Sequence, residues 1–251
     1  MVYRFCRLAA ATLALTLLAL APLGPASADS FTPDQRKDIE GIVHDYLLKH
    51  PDIMLEVLQA AEDRIKSDSH DKAAQALKDH RRELLNDPDS PIAGNPQGDV
   101  TVVEFFDYRC PYCKQVEPAL EALLGEDRKL RFVYKEFPVL GPDSTTASRA
   151  ALAARKQGKY DAFHREMMAL KGQINEAAIL KIAGTVGLDP DRLKRDMAAP
   201  EIGRMLKDNT SLAEALQIRG TPGFVIGDEI VPGAVDLGAL KEMIADVRQH
   251  K

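Results

Sequence analysis

Val102-Val103-Glu104-Phe105-Phe106-Asp107-Tyr108-Arg109-Cys110-Pro111-Tyr112-Cys113 sets two thiols two residues apart at the end of an apolar, β-rich run. The chain has 251 residues and three cysteines, and the third, Cys6, lies close to its start. A structural bridge would gain little from so short a ring, because the stabilisation grows with loop length. The spacing suits exchange instead: one thiolate attacks a foreign disulfide, and the second thiol resolves the mixed intermediate. A strand leading into the pair and a helix opening at it put Cys110 at a helix N-terminus. Unpaired amides and the macrodipole favour an anion there, and Arg109 adds a positive neighbour that tunes the thiol the same way. Cys110 therefore reads as the nucleophile, and Cys113, one helical turn further in, as the resolving thiol.

Outward from this stretch, residues 100–106 predict a strand bounded by Gly98-Asp99, 114–124 a helix and 130–137 a second strand. Strand, helix, strand in that order argues for a parallel pair with a crossover. From 144 to about 216 the pattern is helical, broken at Gly158, Gly172, Gly187-Leu188-Asp189-Pro190 and Ala199-Pro200. Strand character returns at 223–226 and 229–231 around Gly227-Asp228, a hairpin signal, and 237–248 closes as a helix. Residues 100–251 thus read as α/β, a βαβ half and a ββα half separated by a helical insertion at about 143–218.

The start of the chain has the marks of a secretory leader, residues 1–28. Arg4 and Arg7 precede an apolar run at 8–21, Pro22, Gly24 and Pro25 break it, and Ala26-Ser27-Ala28 offers a cleavage site before Asp29. The run falls short of the roughly 20 apolar residues that span a bilayer, which favours a cleaved leader over an anchor. Cys6 would leave with it. Residues 29–90 then predict helices. Thr32, Pro33 and Gln35 form a capping signature, followed by Ile39, Ile42, Val43, Tyr46 and Leu47 on one face. His50-Pro51 interrupts, and Met54, Val57, Leu58, Ala61 and Ile65 continue the stripe. Residues 62–82 are highly charged, with Ala73, Leu77 and Leu84 as thin apolar punctuation. Such helices cannot form a core alone, so the stripe must pack on the main domain or on copies of itself, making a homo-oligomer through 31–90. Asp87-Pro88-Asp89-Ser90-Pro91 and Gly94-Asn95-Pro96 read as turns, with 91–99 as a linker.

Composition narrows the partners. Thirty-eight acidic residues against thirty-three basic ones, interspersed, give a net charge of −5 and no basic face for a nucleic acid. An exported chain enters an oxidising compartment where disulfide chemistry proceeds. Structural zinc lacks its four ligands, since no second Cys or Cys/His pair exists and the six histidines are scattered. Two soft thiolates could hold Cu(I), and that option stays open beside a cofactor-free redox pair.

The quoted stretch resembles the active-site strand and helix of DsbA-like thiol–disulfide oxidoreductases, and Thr221-Pro222 resembles their cis-proline loop. The likeness covers about residues 96–251. The part from Phe31 through Gly94-Asn95-Pro96 is similar, more narrowly, to the suppressor of copper sensitivity protein C (ScsC) group, some of whose members oligomerise through this segment and several of which are isomerases. The resemblance implies a thioredoxin fold with a helical insertion, preceded by an N-terminal helical segment. It implies that Glu104 is a buried acid with a raised pKa, able to take the proton of Cys113; Lys135 on the next strand could pair with it. It further implies that Pro222 is cis beside the disulfide and exposes the Thr221 backbone to an extended substrate, with Pro111 and Tyr112 as further contacts. Strong oxidases of the family carry His between the cysteines and Val before the proline. Pro111-Tyr112 and Thr221 depart from both. The missing His implies a less extreme oxidant, and Thr before the proline resembles the isomerase and reductase branches, which puts a simple oxidase role in doubt. A dedicated oxidase and a copper-sequestering or holdase protein stay open as alternatives. The implied partners are unfolded or misbridged secreted proteins and a membrane redox protein, in the periplasm.

Overall fold

The computed structural model describes residues 31–250, so the expected leader, with Ala28 and Asp29 at its cleavage site, lies outside the described residues. The chain divides into two compact units, with the boundary between Asp63 and Arg64. In the first, helix α1 (Pro33–Lys49) opens on the expected capping box: the Gln35 amide donates to Thr32 Oγ1 at 3.2 Å, and the Thr32 amide to Gln35 Oε1 at 2.9 Å. α1 stops at His50, and α2 (Pro51–Asp79) starts at the proline, which suits a first helical position. Ile42, Val43, Tyr46, Leu55, Val57 and Leu58 are all exposed. No helix among the described residues is long and apolar enough to cross a membrane.

The second unit is built on a five-stranded sheet in the order β1-β3-β2-β4-β5, from β1 (Ile92–Gly94), β2 (Val100–Phe106), β3 (Leu130–Glu136), β4 (Gly223–Ile226) and β5 (Glu229–Pro232). β2 and β3 pair in parallel and are joined by α4 (Pro111–Glu126), while the other pairings are antiparallel. β2 is apolar almost throughout because helices cover both sides of it. Alternation sends Val102, Glu104 and Phe106 to one face and Val103 and Phe105 to the other. The first face packs under α4, under α10 (Leu237–Gln249) and toward the insertion, α5 (Pro142–Arg155), α6 (Tyr160–Ala169), α7 (Glu176–Thr185), α8 (Pro190–Met197) and α9 (Pro200–Ala215). The second face is covered by Leu77 of α2, Leu84 of α3 (Arg81–Leu85), and Leu212, Leu216 and Ile218.

Two boundaries differ from the sequence reading. Residues 64–90 belong to the second unit, because Leu77 and Leu84 complete its second core and leave only residues before 64 as a separate helical unit. The expected linker at 91–99 instead contains β1, whose Ile92 and Gly94 lie opposite Val133 and Arg131. Its glycines looked like turn signals but mark close backbone approach. A Cβ at Gly94, where φ is +71°, would sit 2.5 Å from the Leu130 carbonyl oxygen, and one at Gly98 would sit 2.5 Å from the Lys129 carbonyl.

Candidate active site

Cys110 is the N-cap of α4, with extended φ and ψ, and Pro111 takes the first helical position. Its sulfur donates to the Thr221 carbonyl at 3.1 Å, and the Thr221–Pro222 peptide bond is cis. Cys110 is 4% exposed and Cys113 fully buried, both as free thiols. Pro111 and Tyr112 stand exposed beside them. Burial pushes the Cys113 thiol far above its ordinary range, and the Glu104 carboxyl adds to the effect. Cys113 is thus held as a thiol until something removes its proton.

Glu104 lies in the middle of β2, fully buried, and neither carboxyl oxygen has a hydrogen-bond partner among the described residues. Burial lifts its pKa well above the usual carboxylate range, and Glu117, Cys110 and Glu136 push the same way. Lys135, which could have paired with it, is elsewhere. In the parallel register Glu104 lies opposite Tyr134 and Phe105 opposite Lys135, so Lys135 projects from the other face. There its ammonium donates to Asp87 Oδ2 at 2.8 Å.

Asp107 organises the loop that delivers Cys110. Its Oδ1 accepts from the Arg109 amide at 2.7 Å, an Asx turn, and its Oδ2 accepts from the Leu140 amide at 3.0 Å. The Arg109 guanidinium donates to the Leu140 carbonyl, tying the exposed Val139-Leu140 loop to the cysteine loop. The arrangement can do one thing well. It presents a sulfur at a helix N-terminus, against a carbonyl on a proline loop, with a second thiol and a buried carboxyl behind it.

A family model described as the DSBA-like thioredoxin domain matches residues 101–245, more than half of the chain. The chain belongs to the DSBA-like thioredoxin family. A second model, the copper resistance protein ScsC N-terminal domain, matches residues 35–66. A thioredoxin-like oxidoreductase from Silicibacter pomeroyi is 48% identical with a TM-score of 0.66, over 67% of this chain and 98% of that one. Proteus mirabilis ScsC, in a transitional conformation, is 29% identical with a TM-score of 0.66, over 88% of this chain and 99% of that one. A Na(+)/H(+) antiporter, NhaA 1 of Salinispora arenicola, is 31% identical over 161 residues, which are 63% of this chain. The chain spans about a quarter, 25%, of the length of that curated relative.

Several residues of this DSBA-like site were not singled out from sequence. Asp107 had a signal, an Asp two residues ahead of the residue whose amide it caps. Glu117 had a weaker one, standing four residues after Cys113 on the same helical face. Lys114 donates to the carbonyls of Met167 and Leu170, fastening α4 to α6, and burial lowers its pKa. Behind Glu117 runs a buried network without any sequence signal. His164 Nε2 stands 3.5 Å from Glu117 Oε1, its Nδ1 is 3.0 Å from the Tyr108 hydroxyl, and Tyr108 and Tyr160 both donate to Glu136 Oε1. Burial raises the Glu136 pKa to about 8 against the pull of those hydroxyls. Among the described residues no group of three or more His, Cys, Asp or Glu side chains gathers as a metal site.

Proposed function

We propose that this protein is exported to the periplasm and exchanges disulfides with unfolded or misbridged secreted proteins through Cys110 and Cys113, with isomerase activity. The observation that carries the reading is the sulfur of Cys110, set at a helix N-terminus against the Thr221 carbonyl of the cis-proline loop. The Cys110 thiolate attacks one sulfur of a substrate disulfide, the substrate S–S bond breaks, and the displaced substrate thiolate leaves. If a substrate thiolate then displaces Cys110, the substrate has been reshuffled with no net oxidation. If Cys113 attacks instead, it gives its proton to Glu104 in the ionised form, a strong base when present because burial raises its proton affinity, the Cys110–Cys113 bond forms and the substrate departs reduced. Thr221, Pro222, Pro111 and Tyr112 frame the substrate around the attacked sulfur. A membrane redox partner sets which state of the pair prevails. Export is supported by the leader-like residues 1–28 and by a chemistry that suits an oxidising compartment.

Self-association through the first helical unit belongs to the same reading. Ile42, Val43, Tyr46, Val57 and Leu58 of the stripe are each half exposed or more, at 69%, 50%, 52%, 58% and 54%, and a second copy of the stripe would cover them. The test is turnover. Substoichiometric mature protein should recover activity from scrambled, wrongly bridged ribonuclease, and Cys110→Ser should abolish the recovery. Recovery that persists in Cys110→Ser, or that needs stoichiometric protein, would favour a holding or Cu(I)-sequestering role instead. Light scattering of the same samples should show an oligomer that becomes monomeric without residues 31–63.

A further inference from the structure

Glu117 stands on α4 one turn after Cys113, about 6 Å further along the helix axis, and only 10% of its side chain reaches solvent. It lines a cleft of about 630 Å³ between α4, α6 and β1, whose wall also holds Tyr134, Glu121, Asp161 and Arg165. Tyr134 lies opposite Glu104 in the parallel register of β2 and β3, which sets the cleft beside the buried acid on the face that carries the cysteines. We propose that Glu117 is the proton exit of the thiol pair, taking the proton of Glu104 and releasing it to water in this cleft. The inference rests on the thiol-exchange reading and adds to it a proton route that avoids the substrate. β3 and β1 lie on one side of β2, whereas the cis-proline loop leads into β4 on the other.

The chemistry needs such an exit. Burial favours the protonated form of Glu104, so a proton must leave it before it can accept another from Cys113. Glu104 cannot discharge that proton by itself, because it is fully buried and neither of its carboxyl oxygens has a partner among the described residues. Glu117 is the charged group that acts on it most strongly. Glu117 Oε2 is likewise buried without a partner, while its Oε1 lies 3.5 Å from His164 Nε2. The Tyr108 hydroxyl donates to Glu136, so in the neutral imidazole Nδ1 of His164 supplies the proton shared with that hydroxyl. Nε2 then faces Glu117 as an acceptor, and a proton arriving on Glu117 finds a group to bond before it leaves. Arg165 is engaged by Asp161 and Glu121, so it does not fix the Glu117 carboxylate in one place. The transfers balance. Glu104 gives its proton to the Glu117 carboxylate, and Glu117 gives it to water. The Glu104 carboxylate then takes the proton that the Cys113 sulfur loses as the Cys110–Cys113 bond forms.

The experiment mixes the reduced, full mature chain with an equimolar nitroaromatic disulfide whose thiolate is coloured. Attack by Cys110 releases the first coloured thiolate, and attack by Cys113 on the mixed disulfide releases the second. Glu117→Gln should slow the second phase roughly tenfold relative to the first, less than the loss of a positioned proton acceptor itself. Glu117→Ala should slow it likewise and recover in proportion to added acetate at fixed pH, because the shortened side chain admits a small carboxylate from the cleft. A merely structural role predicts no such recovery. A second phase unchanged in either variant overturns the proposal, and so does a slowing that acetate leaves untouched. A parent chain that gives no second colour phase would fail the exchange reading itself, a result distinct from either of these.

Discussion

Glu104 and Lys135 stand on neighbouring central strands, buried on opposite faces of one sheet, and their surroundings differ in kind. Lys135 has a counter-ion. Burial raises the Asp87 pKa, but the Lys135 ammonium, the Ser90 hydroxyl and the Asp89 amide together bring it below its ordinary value. Burial lowers the Lys135 pKa while Asp87 resists. Glu104 has no counter-ion among the described residues, and burial and the neighbouring Glu117, Cys110 and Glu136 all push its proton affinity higher. A buried pair holds a loop to a sheet, whereas a buried solitary acid costs stability and is kept where proton transfer is needed. The face with the solitary acid is also the face with the cysteines.

The largest expected effect breaks the paired side. Asp87→Ala leaves a nearly inaccessible ammonium without its counter-ion and frees the loop hydrogen bonds of Asp89 and Ser90. It should cost about 3 kcal/mol in chemical denaturation. Thiol exchange by the folded fraction should be unchanged. A loss of exchange with stability intact would show that the two faces are not separable in this way.

The solitary side should respond in the opposite sense. Glu104→Gln should slow resolution of the mixed disulfide by about 10²-fold, the low end for loss of a positioned proton acceptor, without lowering stability at neutral pH. The sign with pH follows from the raised pKa. Below about 4.5, the ordinary value, folded and unfolded chains both keep the proton. Above it the unfolded chain releases a proton that the folded chain retains, so stability falls as pH rises toward the folded pKa. Glu104→Gln should flatten that slope, leaving the portion due to Glu136, which runs up to about 8. Denaturation midpoints across pH 4 to 9 read both, and a variant whose slope equals that of the parent would show that Glu104 ionises freely in the folded chain.

What was legible in the sequence follows the range of the interactions involved. Residues 100–106 form a strand with the bounds read from their β-rich run, and the Asp228 turn, the helix breaks of the insertion and the capping box at Thr32 are equally local signals. β1 was hidden because three residues between turn formers carry no alternation to detect. The Glu104–Lys135 pairing failed on parity. Both residues looked suitably placed, but a parallel register offset by one residue sends the second side chain to the opposite face. Lys135's true partner lies 48 positions away, in a segment that read as a turn. His164 reaches Tyr108 from 56 positions away through the insertion, and no spacing rule connects them.

The smallest expected effect sharpens the contrast most. Replacing Asp87 and Lys135 together, as Asp87→Leu with Lys135→Met, removes both desolvation penalties along with the attraction between the charges. Buried pairs exchanged for apolar side chains of similar volume often leave stability unchanged or improved, so the double variant should lie within about 1 kcal/mol of the parent although Asp87→Ala alone does not. Asp87 keeps 28% of its side chain in solvent, which limits what the pair contributes and leaves space for leucine at the rim. A double variant as unstable as the single one would mean that Asp87 acts through the Asp89 and Ser90 loop contacts, with the ammonium secondary. The paired face would then owe its order to a turn, and the difference between the two buried charges would lie in their backbones as much as in their partners.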